Sequence, residues 1–177
     1  MSEKKIVGIT MGDPASIGPE ITVKAFADKS LYDLCNPVVV GDASVMEAAL
    51  PVVGHTEMKI NAIKDVSEAK YEYGTIDVLD MGLVDMAQLK RGEVSAMCGD
   101  AAFKYVTKVI ELAMDKKVDA TVTNAFNKEA VNLAGHHYSG HTEIYAHYTN
   151  TPKYTMMLAH DNLRVVHVST HVSLAEA

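Results

Sequence analysis

Apolar positions in the chain alternate between short β-branched runs and longer stretches at helical spacing. Residues 5–10 (Lys-Ile-Val-Gly-Ile-Thr) form an apolar run of the kind found in a buried strand of a parallel sheet. The run ends in a turn-rich loop, residues 11–20, that opens onto a helix. Pro19 suits the first helical position, where its missing N–H costs nothing, and Glu20 complements the positive end of the helix dipole. Residues 37–40 predict a second strand, with Asp42 as the N-cap of a helix whose apolar positions are Val45, Met46, Ala49, Leu50 and Val53. Residues 58–62 and 75–79 alternate like half-exposed strands, with a short helix expected around 66–69 between them. Residues 82–92 read as loop.

Ser95 is placed to cap the longest helix, which presents Cys98, Ala101, Ala102, Tyr105, Val109, Ala113 and Met114 on one face. Cys98 on that face is a small buried hydrophobe, and Lys116 and Lys117 close the helix at its negative end. Residues 118–123 return as a strand. A strand, a long helix and a strand make a βαβ unit, so part of the sheet is parallel and the class is α/β. A short helix follows, ended by Gly135 as its C′ residue, then a helix over 142–148. Two strands, 154–159 and 164–169, are joined by His160, Asp161 and Asn162.

Size and charge narrow the possibilities. A chain of 177 residues suits one domain that buries about 70% of its unfolded surface. The net charge of −7 argues against a nucleic-acid surface, which needs a basic stripe. An anionic substrate would then be held by local donors and not by the global field. Cys35 and Cys98 have no metal-ligand spacing, and such sparse usage fits a reducing cytosol. No run approaches 18 consecutive apolar residues and the N-terminus is charged, so no membrane span or signal peptide is expected and the localisation is read as cytoplasmic.

Candidate chemistry concentrates near the C-terminus, where seven of the eight histidines lie between His136 and His171. Imidazole is the commonest metal ligand and changes charge near neutrality. Spacing separates these histidines. His167 and His171 on one strand would stand about 13 Å apart, too far for one ion, so His171 is read as lying past the strand's end and His167 within it. His137 and His141 are four apart, but Ser139 and Gly140 interrupt any helix between them. Two stretches elsewhere admit two readings each. The loop with Gly12 and Asp13 is either an anion site at a helix N-terminus or a tight connection, and it matches neither dinucleotide nor P-loop spacing. Lys128 is either a ligand contact at the C-terminal edge of a strand or a solvated lysine. A histidine-metal hydrolase built from His136, His137 and His141, and a non-catalytic binding or assembly module, are the competing functions.

Residues 10–20 (Thr-Met-Gly-Asp-Pro-Ala-Ser-Ile-Gly-Pro-Glu), 92–96 (Gly-Glu-Val-Ser-Ala), 140–143 (Gly-His-Thr-Glu), 156–158, 163–165 and 169–171 (Ser-Thr-His) resemble the 4-hydroxythreonine-4-phosphate dehydrogenase family, in the family's order. The resemblance covers the family's N-terminal half. It implies residues 1–177 are the N-terminal portion of a two-domain enzyme, apparently truncated, with the C-terminal half absent. It also implies an α/β/α layered fold like isocitrate and isopropylmalate dehydrogenases, with a mixed, largely parallel sheet. The implied chemistry is oxidation of a 4-phosphorylated hydroxy acid with NAD (or NADP) and a divalent metal such as Zn, Mg or Co, followed by decarboxylation. A homodimer with a shared active site is implied as well. By motif position His171 is a metal ligand, and His141 and Thr142 contact substrate. Gly12, Asp13 and Lys128 are carried as cleft-loop residues, no catalytic or NAD-binding residue is assigned, and the fragment alone is expected to be inactive. The chain departs from the family at Ser16, where many relatives have glycine, and at Asn124-Ala125, which replaces an Ala-Pro. Residues 166–171 (Val-His-Val-Ser-Thr-His) look more like the branch acting on D-threonate or D-erythronate 4-phosphate.

Overall fold

Short apolar runs joined through helices return to the same edge of a sheet, and that connectivity makes neighbouring strands parallel. The computed structural model describes residues 4–169, 172, 173, 175 and 176. Among the described residues, five parallel strands, β1 (Ile6–Thr10), β2 (Asn36–Gly41), β3 (Lys59–Ile63), β4 (Thr75–Asp80) and β5 (Ala120–Val122), pair in the order β3-β4-β2-β1-β5. Val38, Val39 and Val40 of β2 are each 0% exposed. Successive side chains in a strand point to opposite faces, so both faces of the sheet are covered.

The covering helices fall into two groups. α1 (Gly18–Phe26) packs with α2 (Lys29–Leu34) and with α3 (Ala43–Val53), and α3 also lies on β3 and β4. α4 (Ala96–Met114) lies on β1, β2 and β5 and carries α5 (Lys128–Leu133) and α6 (His141–Tyr148). The α/β/α layering and the largely parallel sheet agree with the sequence expectation. The last two strands do not join that sheet. β6 (Met157–His160) and β7 (Leu163–Val166) pair antiparallel through a tight turn at Asp161 and Asn162, and all eight strand residues are exposed.

Several local expectations are corrected. Helix α2 has six residues, too few to show a period, and is announced only by Asp28, whose carboxylate accepts from the Ser30 N–H at 2.9 Å. Asp42 occupies the N-cap of α3 but does not cap with its side chain. It is 1% exposed, and its carboxylate accepts from the Val84 N–H (2.6 Å) and the Tyr105 hydroxyl (3.0 Å), tying the 81–95 segment to α4. The Ala43 N–H is served by Asp80 Oδ1 instead, at 3.0 Å. Ser95 likewise forms no side-chain cap, and its hydroxyl is engaged with the buried Cys98 thiol, which burial pushes above its ordinary value. Pro19 is the second residue of α1, not the first. The Lys116–Lys117 pair falls beyond α4, and Lys117 reaches Asp65 at 2.6 Å. His167 lies one residue past β7 and is not a strand residue.

The buried Asp42–Tyr105 bond is a stability determinant that can be measured. Tyr105→Phe removes the donor and leaves a buried carboxylate oxygen short of one partner, which costs about 1–3 kcal/mol. Urea denaturation of the wild type and the variant checks this, and identical midpoints would show that Asp42 finds another donor.

Candidate active site

The functional edge is built at the C-terminal ends of β1 and β5, the side on which open parallel sheets bind ligands. Gly12 has φ +81°, and a Cβ there would meet the Ala125 carbonyl oxygen at 2.5 Å. Only glycine accepts both the left-handed backbone and the close approach. That approach lets the Asp13 N–H donate to Ala125 O at 3.1 Å. The Asn124 N–H donates to Thr10 Oγ1 (3.0 Å) and its side-chain amide to Thr22 Oγ1 (2.6 Å), so the Asn124-Ala125 departure from the family pattern is built into the joint between the two loops. The Gly92 N–H closes the 81–95 segment onto Ala15 O at 2.7 Å.

Two neighbouring cavities flank this joint. One, about 280 Å³, is lined by Asp13, Ser16, Glu20, Arg91, Glu93 and Asn127. Asp13 is 3% exposed, and burial raises its pKa while the N–H groups of Ala15 and Asn127 draw it back down. The other, about 360 Å³, is lined by Lys128, Ser139, Thr142, Tyr154, His167 and Ser169 among others. The loop residues Gly12 and Asp13 and the lysine therefore do not share one cleft. Adjacent residues, Asn127 and Lys128, face the two cavities.

Lys128 is the first residue of α5, where Asn127 caps by accepting from the N–H groups of Glu129 (2.9 Å) and Ala130 (3.2 Å). A cation at a helix N-terminus opposes the dipole, so this placement is not explained by helix stability. Across the cavity stands the N-terminus of α6, with Gly140 at the N-cap and no side-chain cap. Thr142 lines the cavity there, but His141 does not. Its ring lies against Phe126, with centroids 4.1 Å apart, and its Nε2 is buried without a hydrogen-bond partner among the described residues. Burial, with the Lys128 charge second, lowers the His141 pKa, so the imidazole is neutral at neutral pH.

The histidine cluster is dispersed. His136 stacks on Phe103 at 3.8 Å and pairs through Nε2 with Asp100 at 2.8 Å, fastening the loop before α6 onto α4. No group of three His, Cys, Asp or Glu able to hold a metal occurs among the described residues, so His136, His137 and His141 form no hydrolase centre there. His171, the expected metal ligand, lies outside the described residues. Tyr154, before β6, and His167 and Ser169, after β7, stand opposite Lys128 only because the hairpin between them folds back, which no local sequence signal reveals.

The lowered His141 pKa has a signed consequence. Below about pH 6.5 the unfolded chain takes up a proton at this site and the folded one does not, so stability is full above that pH and falls as the solution is acidified. Thermal unfolding between about pH 5 and 7 should show a steeper acid loss in wild type than in His141→Gln. Parallel curves would mean that His141 titrates normally in the fold.

Comparison with known proteins agrees with this architecture. The model of the family described as pyridoxal phosphate biosynthetic protein PdxA matches residues 33–177. The D-threonate 4-phosphate dehydrogenase of Cupriavidus necator is 45% identical over 172 residues, covering 97% of this chain and 51% of that protein. A crystal structure of a 4-hydroxythreonine-4-phosphate dehydrogenase from Burkholderia phymatum superposes with a TM-score of 0.92 at 47% identity, over 99% of this chain and 52% of that one. A terephthalate 1,2-cis-dihydrodiol dehydrogenase from Burkholderia xenovorans has a TM-score of 0.72 at 26% identity, over 98% and 50%. The chain spans about half the length of the curated relatives it matches. With a fold shared with these proteins and a family match over residues 33–177, the chain belongs to the PdxA family.

Proposed function

We propose that the chain supplies one side of the active site of a dehydrogenase that oxidises, and then decarboxylates, a 4-phosphorylated hydroxy acid with NAD (or NADP). The observation that carries this is the cavity of about 360 Å³ between Lys128 and the N-terminus of α6, within a fold shared with dehydrogenases of such substrates. The ammonium of Lys128 and the N–H groups opening α6 are cationic or dipolar donors for an anionic substrate, in a protein whose net charge is −7. Thr142 contributes a hydroxyl that donates or accepts, whereas the Nε2 of neutral His141, buried beside Phe126, would meet a substrate oxygen only if the ring turned toward the cavity. Among the described residues, no three His, Cys, Asp or Glu side chains stand together to hold a metal ion.

Titration of isotope-labelled chain with D-threonate 4-phosphate tests the site. Signals of Lys128, His141 and Thr142 should move, and Lys128→Gln should weaken binding about tenfold, as loss of one charge-assisted hydrogen bond implies. Perturbations confined to the Asp13–Arg91 side would overturn the assignment.

Assembly into a homodimer with a shared site is the second part of the proposal, and the β6–β7 hairpin supports it. Leu158, Leu163 and Val166 are 56%, 63% and 55% exposed, and an isolated two-stranded hairpin is marginal in water without a covering partner. The hairpin's flanks, Met156 and His167, line the cavity, so a second copy seated on it would also reach the site. Sedimentation should show a concentration-dependent dimer that Leu158→Lys shifts toward monomer. A wild type that stays monomeric at high concentration would refute dimer formation through this face.

A further inference from the structure

The larger cavity lies between two helix starts, Lys128 at the head of α5 and Thr142 in the first turn of α6. Its width depends on how those helices sit on α4, which carries both. α5 is seated by backbone contact: a Cβ on Gly99 would overlap the Ala130 carbonyl, so the two helices touch with no side chain between them at that point. α6 has no such seat at its start. Its N-cap is Gly140, without a side-chain cap, and its buried residues are Ile144 and Ala146.

The approach to α6 is held by a clasp from the neighbouring residues of α4. Asp100 Oδ1 accepts from His136 Nε2 at 2.8 Å, and its other oxygen takes Lys104 Nζ at 2.6 Å. The acceptor is a carboxylate, so Nε2 carries the proton. The His136 ring also lies flat on Phe103, with centroids 3.8 Å and planes 12° apart, and the Tyr138 ring stacks on Phe103 at 5.6 Å. The His136 main-chain N–H returns to Val131 O at 3.1 Å, so backbone and ring are both fixed. Ser139 and Gly140, three and four residues further on, line the cavity, whereas Asp100 and His136 stand outside it.

Taking the dehydrogenase reading of the cavity, we infer that Asp100 and His136 are positioning residues: their bond, acting through residues 137–140, sets the gap between Lys128 and the first turn of α6. A ligand held from two walls binds only as well as those walls are spaced, and supporting bonds outside a site control that spacing. Both side chains are partly exposed and belong to neither buried core cluster, so breaking their bond releases the loop and leaves the sheet intact.

Calorimetric titration of the 177-residue chain with D-threonate 4-phosphate, paired with amide spectra of the ligand-free protein, tests this. His136→Ala and Asp100→Ala should each weaken binding about tenfold, and the double variant no further, because both remove the same bond. His136→Gln, whose amide N–H can reach Asp100, should restore most of the affinity. Without ligand, His136→Ala should move the amide signals of residues 139–142 and leave those of β1 and β2 in place. Asp100→Ala puts a strong helix former on α4 and breaks the bond from the other side, which keeps the test decisive if His136→Ala fails to fold. Wild-type affinity in both single variants, additive losses in the double, or unmoved 139–142 signals would overturn the positioning role and leave the dehydrogenase reading standing. A wild type that does not bind the ligand would remove both.

Discussion

The site depends on the contact between the β1–α1 and β5–α5 loops, made where Gly12 lets the backbone approach Ala125. The Asp13 N–H donates to the Ala125 carbonyl, the Asn124 side-chain amide donates to the Thr22 hydroxyl, and the Asn124 backbone N–H donates to the Thr10 hydroxyl, fastening the two loops. Because β1 and β5 are adjacent and parallel, their C-terminal ends emerge side by side. The bonds therefore hold Asn127 and Lys128 at fixed height above the sheet. A Cβ at position 12 would push against the Ala125 carbonyl, and Lys128 opens α5 three residues after Ala125.

Charge in this region is distributed by burial more than by ion pairing. His141 is kept neutral by burial and by a neighbouring lysine, and Asp13 is raised by burial in the adjacent cavity. Asp100 behaves differently. Its carboxylate lies below the ordinary range because Lys104 and His136 outweigh its partial burial, and that pair secures the loop leading into α6. One histidine of the cluster is thus a structural fastening and another a buried neutral base, which residue type alone does not distinguish.

The side chains of the β6–β7 hairpin join no core: all eight strand residues are exposed. Its strands, Met-Leu-Ala-His and Leu-Arg-Val-Val, are mostly apolar, yet both faces are open. Its flanks close one wall of the larger cavity, linking whatever covers the hairpin to the shape of the site.

The sequence by itself determined the α/β class, the parallel core strands, the long helix with Cys98 and Tyr105 inside, and the glycine-bearing loop. Each of these is written in local periodicity and in turn chemistry. It left Lys128 open between a ligand contact and a solvated lysine, and Thr142 gained a substrate role only through the resemblance to the family. Tertiary structure alone decided that Asp42 serves Val84 and Tyr105 and not its own helix, that His141 faces Phe126 while Thr142 faces the cavity, and that His167 stands in the same cavity as Lys128. These outcomes turn on contacts between residues far apart in the chain. A polar side chain bonds to whichever partner the packed fold brings within about 3 Å, and sequence neighbours do not reveal which partner that is.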